Sequence, residues 1–362
     1  MSMLAEARFI DDAKRVFDVL PHRTLCTWNS LIKGYSECGN PHHALILYHR
    51  MLDDAFIPNG YTFVALLTVL GELDDLEMSY RIHSEIDKKG LLGRDLYVGS
   101  NLVHMYAKRG LLVEAQYVFE MLPFQNTVVW NTLIGGFNSC EQGDNALYYF
   151  KQMQYPRNAI TFVYGLKACG MTQNIDVGKD IHVQIVRNGM LERNCFLHSA
   201  LIEMYVKCGS LAKAQDVFDQ LQFRDLVSWN VLLAGYAQLG KDCTILDLFN
   251  KMIGEGMVPD SITFTVVLNA CSHSGLLDKA EMYFESMSAC YSIVPTLEHH
   301  SCMIGLYGRA GHFDKVLRMI RKMPTLDYLP MWTALLGACQ KWENVELGRL
   351  AFEHTVRLDV KY

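Results

Sequence analysis

The sequence has no long hydrophobic run, few prolines and no excess of positive charge. Its longest apolar stretches are like VALLTVL from Val64, far shorter than the roughly 18 residues of a membrane-spanning helix, so we predict no membrane partner. Nine prolines in 362 residues, with 50% hydrophobic residues, predict a folded chain. The formal net charge of −6 gives no bulk attraction for polyanions. If nucleic acid binds, a local surface must hold it.

Catalytic and metal-binding signatures are also missing. None of the eleven cysteines is spaced Cys-x-x-Cys, which predicts reduced, buried thiols rather than a zinc or disulfide framework. His83 and His182 have no neighbours at donor spacing, so we interpret both as structural. The sequence contains no Gly-x-x-x-x-Gly-Lys followed by Ser or Thr, no Gly-x-Ser-x-Gly and no His-Glu-x-x-His. We therefore predict no metal, no cofactor, no small-molecule substrate and no enzymatic activity.

The chain does contain an internal repeat. A Trp-Asn pair followed by an apolar run and a Gly-aromatic pair occurs at Trp28, Trp130 and Trp229, about 100 residues apart. MYAKRG from Met105 and MYVKCG from Met204 recur between them. These phrases divide the chain into units of roughly 31 to 36 residues, each with two amphipathic stretches around a turn. Neither helix of such a pair can bury its apolar stripe alone, so neighbouring units must stack.

The pattern predicts an all-α solenoid of stacked helix-turn-helix units. The predicted units are 1–24 (partial), 25–59, 60–95, 96–126, 127–158, 159–194, 195–225, 226–260, 261–296 and 297–328, followed by a divergent segment at 329–362. The unit at 127–158 is shortened and has Glu141 in place of the turn glycine, which leaves the register of Asn158 open. Met1 falls near the eighth place of its unit, which predicts a missing N-terminal portion.

Three unit types together resemble a known family. The unit ending GEGMVPD, the longer unit with LKACGMTQNIDVGKDIHVQIVRNG and the shorter unit with MYVKCGSLAKAQDVFDQL resemble the P, long and short motifs of plant pentatricopeptide repeat (PPR) proteins of the PLS class. The resemblance covers essentially the whole chain, and 329–362 resembles the E-type C-terminal extension. It implies a right-handed superhelical solenoid, related to tetratricopeptide (TPR) arrays. It further implies binding of single-stranded RNA in mitochondria or chloroplasts, to direct cytidine-to-uridine editing.

In this family the fifth and last residues of a unit read one base, and second residues of adjacent units sandwich that base. The resemblance predicts five base-reading pairs, for pyrimidine, adenine, pyrimidine, guanine and uracil respectively: Asn29 with Asn59, Ser100 with Asn126, Asn131 with Asn158, Ser199 with Asp225, and Asn230 with Asp260. The predicted base-stacking residues hold the second place: Cys26, Tyr97, Val128, Phe196 and Val227. An Asn amide offers a donor and an acceptor to a pyrimidine edge, whereas a Ser hydroxyl suits a purine.

The remaining fifth-place residues fit the rule less well. Val64 and Val163 cannot hydrogen-bond, so their units are predicted spacers. Thr265 with Thr296 matches the family's rule poorly, and Ser301 with Tyr328 matches it more poorly still. The predicted target is therefore pyrimidine, any, adenine, pyrimidine, any, guanine, uridine, in parallel 5′ to 3′ alignment.

Three cations share the thirteenth place of short units: Lys108, Lys207 and Arg309. One interpretation is a row of phosphate contacts along bound RNA. The other is structural, because cations near a helix C-terminus interact favourably with the helix dipole.

Editing chemistry has no support in the chain itself. A zinc deaminase needs His-x-Glu together with Pro-Cys-x-x-Cys, and only HSE from His83 is present, inside a repeat helix. The chain ends before any deaminase domain. We therefore predict that a deaminase-bearing PPR protein or organellar editing factors act in trans.

Three other readings stay open at this point. A TPR-like scaffold would hold peptides on the same helix pairs, but the restriction of the fifth place to Asn, Ser, Thr or Val favours RNA. RNA binding for splicing, stability or translation would use the same array without editing. A truncated, inactive copy agrees with the partial first unit.

Overall fold

The computed structural model describes residues 10–191, 194–221, 223–323 and 325–359. Twenty-one α-helices and no strand occur in these ranges, which confirms the predicted all-α class. In the same ranges, none of the helices combines the length and hydropathy needed to cross a bilayer. The chain divides into two compact units, residues 1–193 and 194–362.

The first unit contains one leading helix and five helix pairs. Its helices are α1 (Ile10–Val19), α2 (Leu25–Glu37), α3 (Pro41–Asp53), α4 (Gly60–Leu70), α5 (Leu76–Lys88), α6 (Leu96–Lys108), α7 (Leu112–Met121), α8 (Thr127–Ser139), α9 (Gly143–Gln152), α10 (Ala159–Met171) and α11 (Ile175–Arg187). Most helices consecutive in the chain pack together, and each of α2, α4, α6 and α8 also contacts the next even-numbered helix. The first helices of the repeats therefore form one continuous layer, which we call the first-helix layer.

The second unit repeats this arrangement. Its helices are α12 (Cys195–Lys207), α13 (Leu211–Asp219), α14 (Leu226–Gln238), α15 (Asp242–Gly254), α16 (Ser261–His273), α17 (Leu277–Tyr291), α18 (Leu297–Arg309), α19 (Phe313–Lys322), α20 (Leu329–Lys341) and α21 (Val345–Asp359). Here too the even-numbered helices contact one another in order from α12 to α20, and form a first-helix layer within this unit.

Most first helices begin where a side chain caps the exposed backbone N–H groups of the helix N-terminus. Asn59 Oδ1 accepts from the Thr62 backbone N–H at 3.1 Å, and Asp260 Oδ1 accepts from the Thr263 N–H at 2.9 Å. Such a cap stabilises a helix by about 1 kcal/mol. Each capping residue is also the last residue of the preceding repeat, so one position belongs to two repeats.

The Trp of each Trp-Asn pair packs into the core between repeats. Its ring meets a Phe of the preceding second helix edge to face: Trp28 with Phe17 at 4.6 Å, Trp130 with Phe119 at 4.8 Å, and Trp229 with Phe218 at 4.6 Å between ring centroids. All three Trp side chains are buried, and among the described residues no hydrogen-bond acceptor lies in reach of their indole Nε1 atoms. These tryptophans therefore contribute apolar packing rather than polar contacts.

Turns between paired helices need a left-handed backbone conformation. Gly39 and Gly240 provide it with φ values of 72° and 63°, and Glu141 takes the same conformation at φ 59° in the repeat at 127–158. The shortening of that repeat lies in its second helix, since α9 has 10 residues where α15 has 13. The following helix still begins directly after Asn158, which caps Thr161 N–H at 2.9 Å.

None of the ten cysteines that the structure describes forms a disulfide. Three of them are buried as predicted: Cys169, Cys271 and Cys339. Burial raises the pKa of Cys271 to about 11, so this thiol stays protonated near neutral pH. The prediction of general burial was wrong for Cys26, Cys243 and Cys290, which are exposed because they lie on the outward side of their helices.

Candidate nucleic-acid interface

The fifth residue of a repeat and its last residue meet across the first-helix layer. Asn29 Nδ2 donates a hydrogen bond to Asn59 Oδ1 at 3.0 Å. The Thr62 hydroxyl lies one turn into the next first helix and donates to Asn29 Oδ1 at 2.7 Å. Together with the cap from Asn59 to the Thr62 N–H, these contacts join the three residues in a closed hydrogen-bonded group. We call this group an Asn-Asx-Thr triad, Asx being Asn or Asp.

The triad occurs three times with nearly the same distances. The second is Asn131, Asn158 and Thr161, and the third is Asn230, Asp260 and Thr263. The amide Nδ2 donates to the Asx Oδ1 at 3.2 and 3.1 Å respectively. The Thr hydroxyl donates to the Asn Oδ1 at 2.8 and 2.7 Å. The register of Asn158 is therefore the same as that of its two counterparts.

Only one orientation of each amide satisfies these contacts. The capped backbone N–H is a donor, so the Asx residue must point an oxygen at it. The facing Asn must then point its NH₂ group at that oxygen and its own oxygen at the Thr hydroxyl. An Asn amide has two N–H groups and two oxygen lone pairs, and the triad engages one of each. One donor and one acceptor of Asn29, Asn131 and Asn230 are left over for a ligand.

The third triad carries a negative charge. Burial acts to raise the pKa of Asp260, but hydrogen bonds from the Thr263 backbone N–H and hydroxyl and from Asn230 outweigh it and hold this pKa below its ordinary value. The Thr263 hydroxyl proton is shared here, since Oγ1 lies 2.7 Å from Asn230 Oδ1 and 2.8 Å from Asp260 Oδ1. Asp260 is therefore a carboxylate at neutral pH and can only accept hydrogen bonds. Asn59 and Asn158 at the same place carry an NH₂ group, which only donates.

The two predicted serine pairs have a different geometry. The Ser100 hydroxyl donates to the Leu96 carbonyl oxygen at 2.6 Å, while Asn126 caps the Val129 N–H at 3.0 Å. Ser199 is buried and Asp225 is exposed. No direct hydrogen bond joins the members of either pair in the part of the chain that the structure describes. A ligand contacting both members would have to bridge them.

The predicted base-stacking residues are all exposed. Tyr97 and Phe196 expose 78% and 50% of their surface, and Cys26, Val128 and Val227 are likewise exposed. A single exposed apolar side chain needs no explanation, whereas several on one surface indicate an interaction site. Their regular recurrence at the second place of first helices is therefore a property of a surface and not of the core.

Sequence reasoning missed three further members of this row. Tyr61, Ile160 and Ile262 hold the second place of the longer units and expose 80%, 50% and 61% of their surface. The signal was available, because the same register position is apolar in the other repeats. In the second unit the row ends after Ile262, since Glu298 takes the second place of the next repeat.

A cavity of about 560 Å³ in the first unit joins the two kinds of position. Second-place residues Cys26 and Tyr61 line it together with Asn29, Asn59 and Val64. Its wall thus combines one Asn-Asx pair with two exposed side chains that could contact the faces of a planar ring. This is the type of site that a single flat, polar-edged group would fill.

The three predicted phosphate-binding cations already have protein partners. Lys108 Nζ lies 3.4 Å from Glu72 Oε1, and Lys207 Nζ lies 2.7 Å from Glu203 Oε1. Both pairs are partly exposed, so a phosphate could replace the carboxylate at little cost. Arg309 instead donates to the carbonyl oxygen of Ser272 at 2.8 Å and also to its hydroxyl.

The repeat at 261–296 has a different linking group. His299 holds the third place of the next repeat, where the three triads have Thr, and its side chain is fully buried. Its Nδ1 accepts from the Thr296 N–H at 3.0 Å, which leaves the proton on Nε2, 3.1 Å from Thr265 Oγ1 and 2.9 Å from the Ser261 carbonyl oxygen. The predicted spacers Val64 and Val163 are half-buried.

In the described ranges, no group of three or more His, Cys, Asp or Glu residues could hold a metal ion. His83 Nδ1 lies 2.9 Å from the Tyr106 hydroxyl, and its ring packs edge to face on that tyrosine. Burial lowers the pKa of His83, although Asp87 opposes this effect. These contacts are those of a histidine packed within the fold.

The chain is a helical repeat protein. Its helices are paired, the first helices of the pairs form a layer within each unit, and polar residues recur at fixed places. Models of two related families match the chain: the PPR repeat family at residues 23–72 and 224–273, and the PPR repeat at 128–155, 196–226, 262–290 and 298–328. The chain belongs to the pentatricopeptide repeat family.

Relatives of known sequence are plant proteins of the same family. A mitochondrial pentatricopeptide repeat-containing protein of Arabidopsis thaliana is 36% identical over 99% of this chain and 56% of its own length. The chloroplastic protein CRR2 of the same plant is 34% identical over 100% of this chain and 56% of its own length. The chain thus spans about half the length of these curated relatives.

The fold also resembles a solved structure of the family. The crystal structure of the pentatricopeptide repeat protein PPR10 from maize matches with a TM-score of 0.65 at 17% identity, over 98% of this chain and 57% of that one. At this identity the likeness concerns the fold, and it agrees with the predicted repeat solenoid.

Proposed function

We propose that the protein binds single-stranded RNA in a sequence-specific manner. The observation that carries this proposal is the combination of Asn-Asx pairs with exposed apolar side chains at the second place of the same and the following repeat. Base faces are apolar and stack on such side chains, whereas base edges need a donor and an acceptor. Peptide binding would not require Asn-Asx pairs to alternate with apolar second-place residues.

The edge chemistry of the pairs fits pyrimidines. The spare N–H of Asn230 can donate to a uracil carbonyl oxygen, and the Asp260 carboxylate can accept from uracil N3–H. Asn59 and Asn158 offer an NH₂ group at that place, which suits the unprotonated N3 of cytosine. Ser100 with Asn126 and Ser199 with Asp225 remain proposed adenine and guanine readers.

The proposed target follows from the order of the repeats. It reads pyrimidine, any, adenine, pyrimidine, any, guanine, uridine, in parallel 5′ to 3′ alignment, with Val64 and Val163 opposite the unspecified nucleotides. Binding of a labelled RNA of this sequence is measured by fluorescence anisotropy, and competitors carry one changed base each. Changes at specified nucleotides weaken competition, and changes opposite the valines do not. Equal binding of a scrambled RNA overturns the proposal.

We further propose that the protein is a PLS-class, E-type specificity factor for cytidine-to-uridine editing in mitochondria or chloroplasts. The cycle of three repeat lengths, the resemblance of 329–362 to an E-type extension, and relatives named as mitochondrial or chloroplastic support this. A deaminase acting in trans supplies the chemistry. Sequencing of transcripts bound to the protein tests it: an edited cytidine just 3′ of the footprint is expected. Bound transcripts without one indicate splicing, stability or translation instead.

A further inference from the structure

The Asn-Asx-Thr triads contain one side-chain group that does not contact RNA in the proposed mode of base recognition. This group is the Thr hydroxyl, and all three threonines, Thr62, Thr161 and Thr263, are fully buried. A buried hydroxyl must hydrogen-bond, and here its partner is a side chain at the edge of the proposed RNA site. The fully buried Thr is thereby linked to the reader, which is half-buried in the case of Asn29 and buried in the cases of Asn131 and Asn230.

The hydrogen-bond direction is clearest in the first triad. The Thr62 hydroxyl accepts from the Asn59 backbone N–H at 3.1 Å and keeps one proton to donate. That proton has two acceptors in reach, Asn29 Oδ1 at 2.7 Å and Asn59 Oδ1 at 3.1 Å. The shorter contact assigns it to Asn29. Both atoms of the Asn29 amide group are therefore held from within the protein.

The third place of the following repeat differs where the reader is not Asn. After Ser100 that place is Val129, which has no hydroxyl. After Ser199 it is Ser228, whose hydroxyl donates to the Asp225 carbonyl oxygen at 2.8 Å. Thr at the third place thus accompanies Asn at the preceding fifth place in all three triads.

We propose that Thr62, Thr161 and Thr263 are positioning residues that set base choice by locking the amide of Asn29, Asn131 and Asn230. This inference rests on the proposed RNA binding. With both amide atoms held, the spare N–H and lone pair point outward in a fixed order. With the Thr hydroxyl removed, only the Nδ2 contact remains, and the amide turns about it. The reader then accommodates more than one base edge.

Thr62→Val tests this, because Val matches the shape of Thr and lacks the hydroxyl. Full-chain protein is titrated with RNAs that differ only at the nucleotide opposite repeat 25–59. The pyrimidine-to-purine affinity ratio there is expected to fall by roughly three- to tenfold, the worth of one hydrogen bond. The ratio at the nucleotide opposite repeat 226–260 stays unchanged. Thr62→Ser restores the ratio because it restores the hydroxyl.

Ser228→Ala is the matched control, since it removes a third-place hydroxyl that bonds only its own capping residue. It lowers thermal stability without changing base choice opposite Ser199. If Thr62→Val is poorly folded, Thr161→Val provides the same test in another repeat. Wild-type discrimination that survives in the Val variants overturns the positioning role alone. A wild-type protein without discrimination overturns the proposed RNA binding instead.

Discussion

Asn230 Nδ2 donates to Asp260 Oδ1 at 3.1 Å, although 30 positions separate the two residues in the chain. One residue belongs to the first helix of a repeat, and the other caps the first helix of the next. The contact makes them one chemical unit with a donor, an acceptor and a carboxylate. A substitution at either position therefore changes what the other presents.

Asp260→Asn is expected to shift the preferred base opposite repeat 226–260 from uracil towards cytosine, because an NH₂ group replaces an acceptor. Asn230→Ala is expected to weaken binding by about 1 kcal/mol and to relax choice at the same nucleotide. Fluorescence anisotropy with the four bases at that nucleotide measures both. Asn131→Ala is the control, since its effect falls on a different nucleotide. A uniform loss across all four bases would contradict the assignment.

Tyr97→Ala is expected to reduce RNA affinity by about 1–3 kcal/mol with little effect on base choice, because stacking does not depend on the base edge. Tyr117 provides a matched control: it is also exposed, at 57%, but lies on the second helix of the same repeat. Titration of both variants with the same RNA distinguishes the two surfaces. Equal losses would show that the first-helix row has no special role.

Lys108→Gln with Lys207→Gln is expected to make RNA binding less dependent on salt. Each phosphate contact contributes about −0.9 to −0.7 to the slope of log K against log salt concentration, so the double variant loses about 1.5. Lys88→Gln, an exposed change on a second helix, serves as control. An unchanged slope in the double variant assigns both lysines to their ion pairs with Glu72 and Glu203 alone.

Thermal stability is expected to fall as the pH drops below about 6.5, the ordinary pKa of histidine. Burial lowers the pKa of His299, so the folded state stays neutral where the unfolded state already takes up a proton. Its stabilising contribution is complete above the unfolded pKa and is lost as the pH falls towards the folded one. Melting curves from pH 7.5 to 5.5 measure the effect, and His299→Gln makes it smaller. Parallel curves for the two proteins would rule His299 out.

The sequence predicted much of the fold because helical repeats leave local signals. The Trp-Asn phrases, the turn glycines and the apolar spacing each lie within one repeat, and all reflect contacts between neighbours in the chain. Even the shortened repeat at 127–158 followed the pattern. The structure showed that its missing residues come from α9 and that α10 still begins directly after Asn158.

The triads were less accessible from the sequence. Thr62, Thr161 and Thr263 stand in recurring Thr-Phe dipeptides, but the amide that each hydroxyl meets is 30 or 33 residues upstream. Amide orientation also depends on the whole hydrogen-bond network rather than on any residue type. Which nucleotide each pair binds stays a prediction, which titration with RNAs of different sequence tests.

Asn59, Asn158 and Asp260 each begin a helix as well as facing the proposed binding site of the repeat before it. Asn, Asp, Ser, Thr and Gly are the residues preferred as the N-cap of a helix. Engineering such an array to bind another RNA can therefore use only a few residue types at this place, and helix capping rather than RNA binding sets that limit. Any other residue at this place would lower the melting temperature of the protein, whether or not RNA is bound.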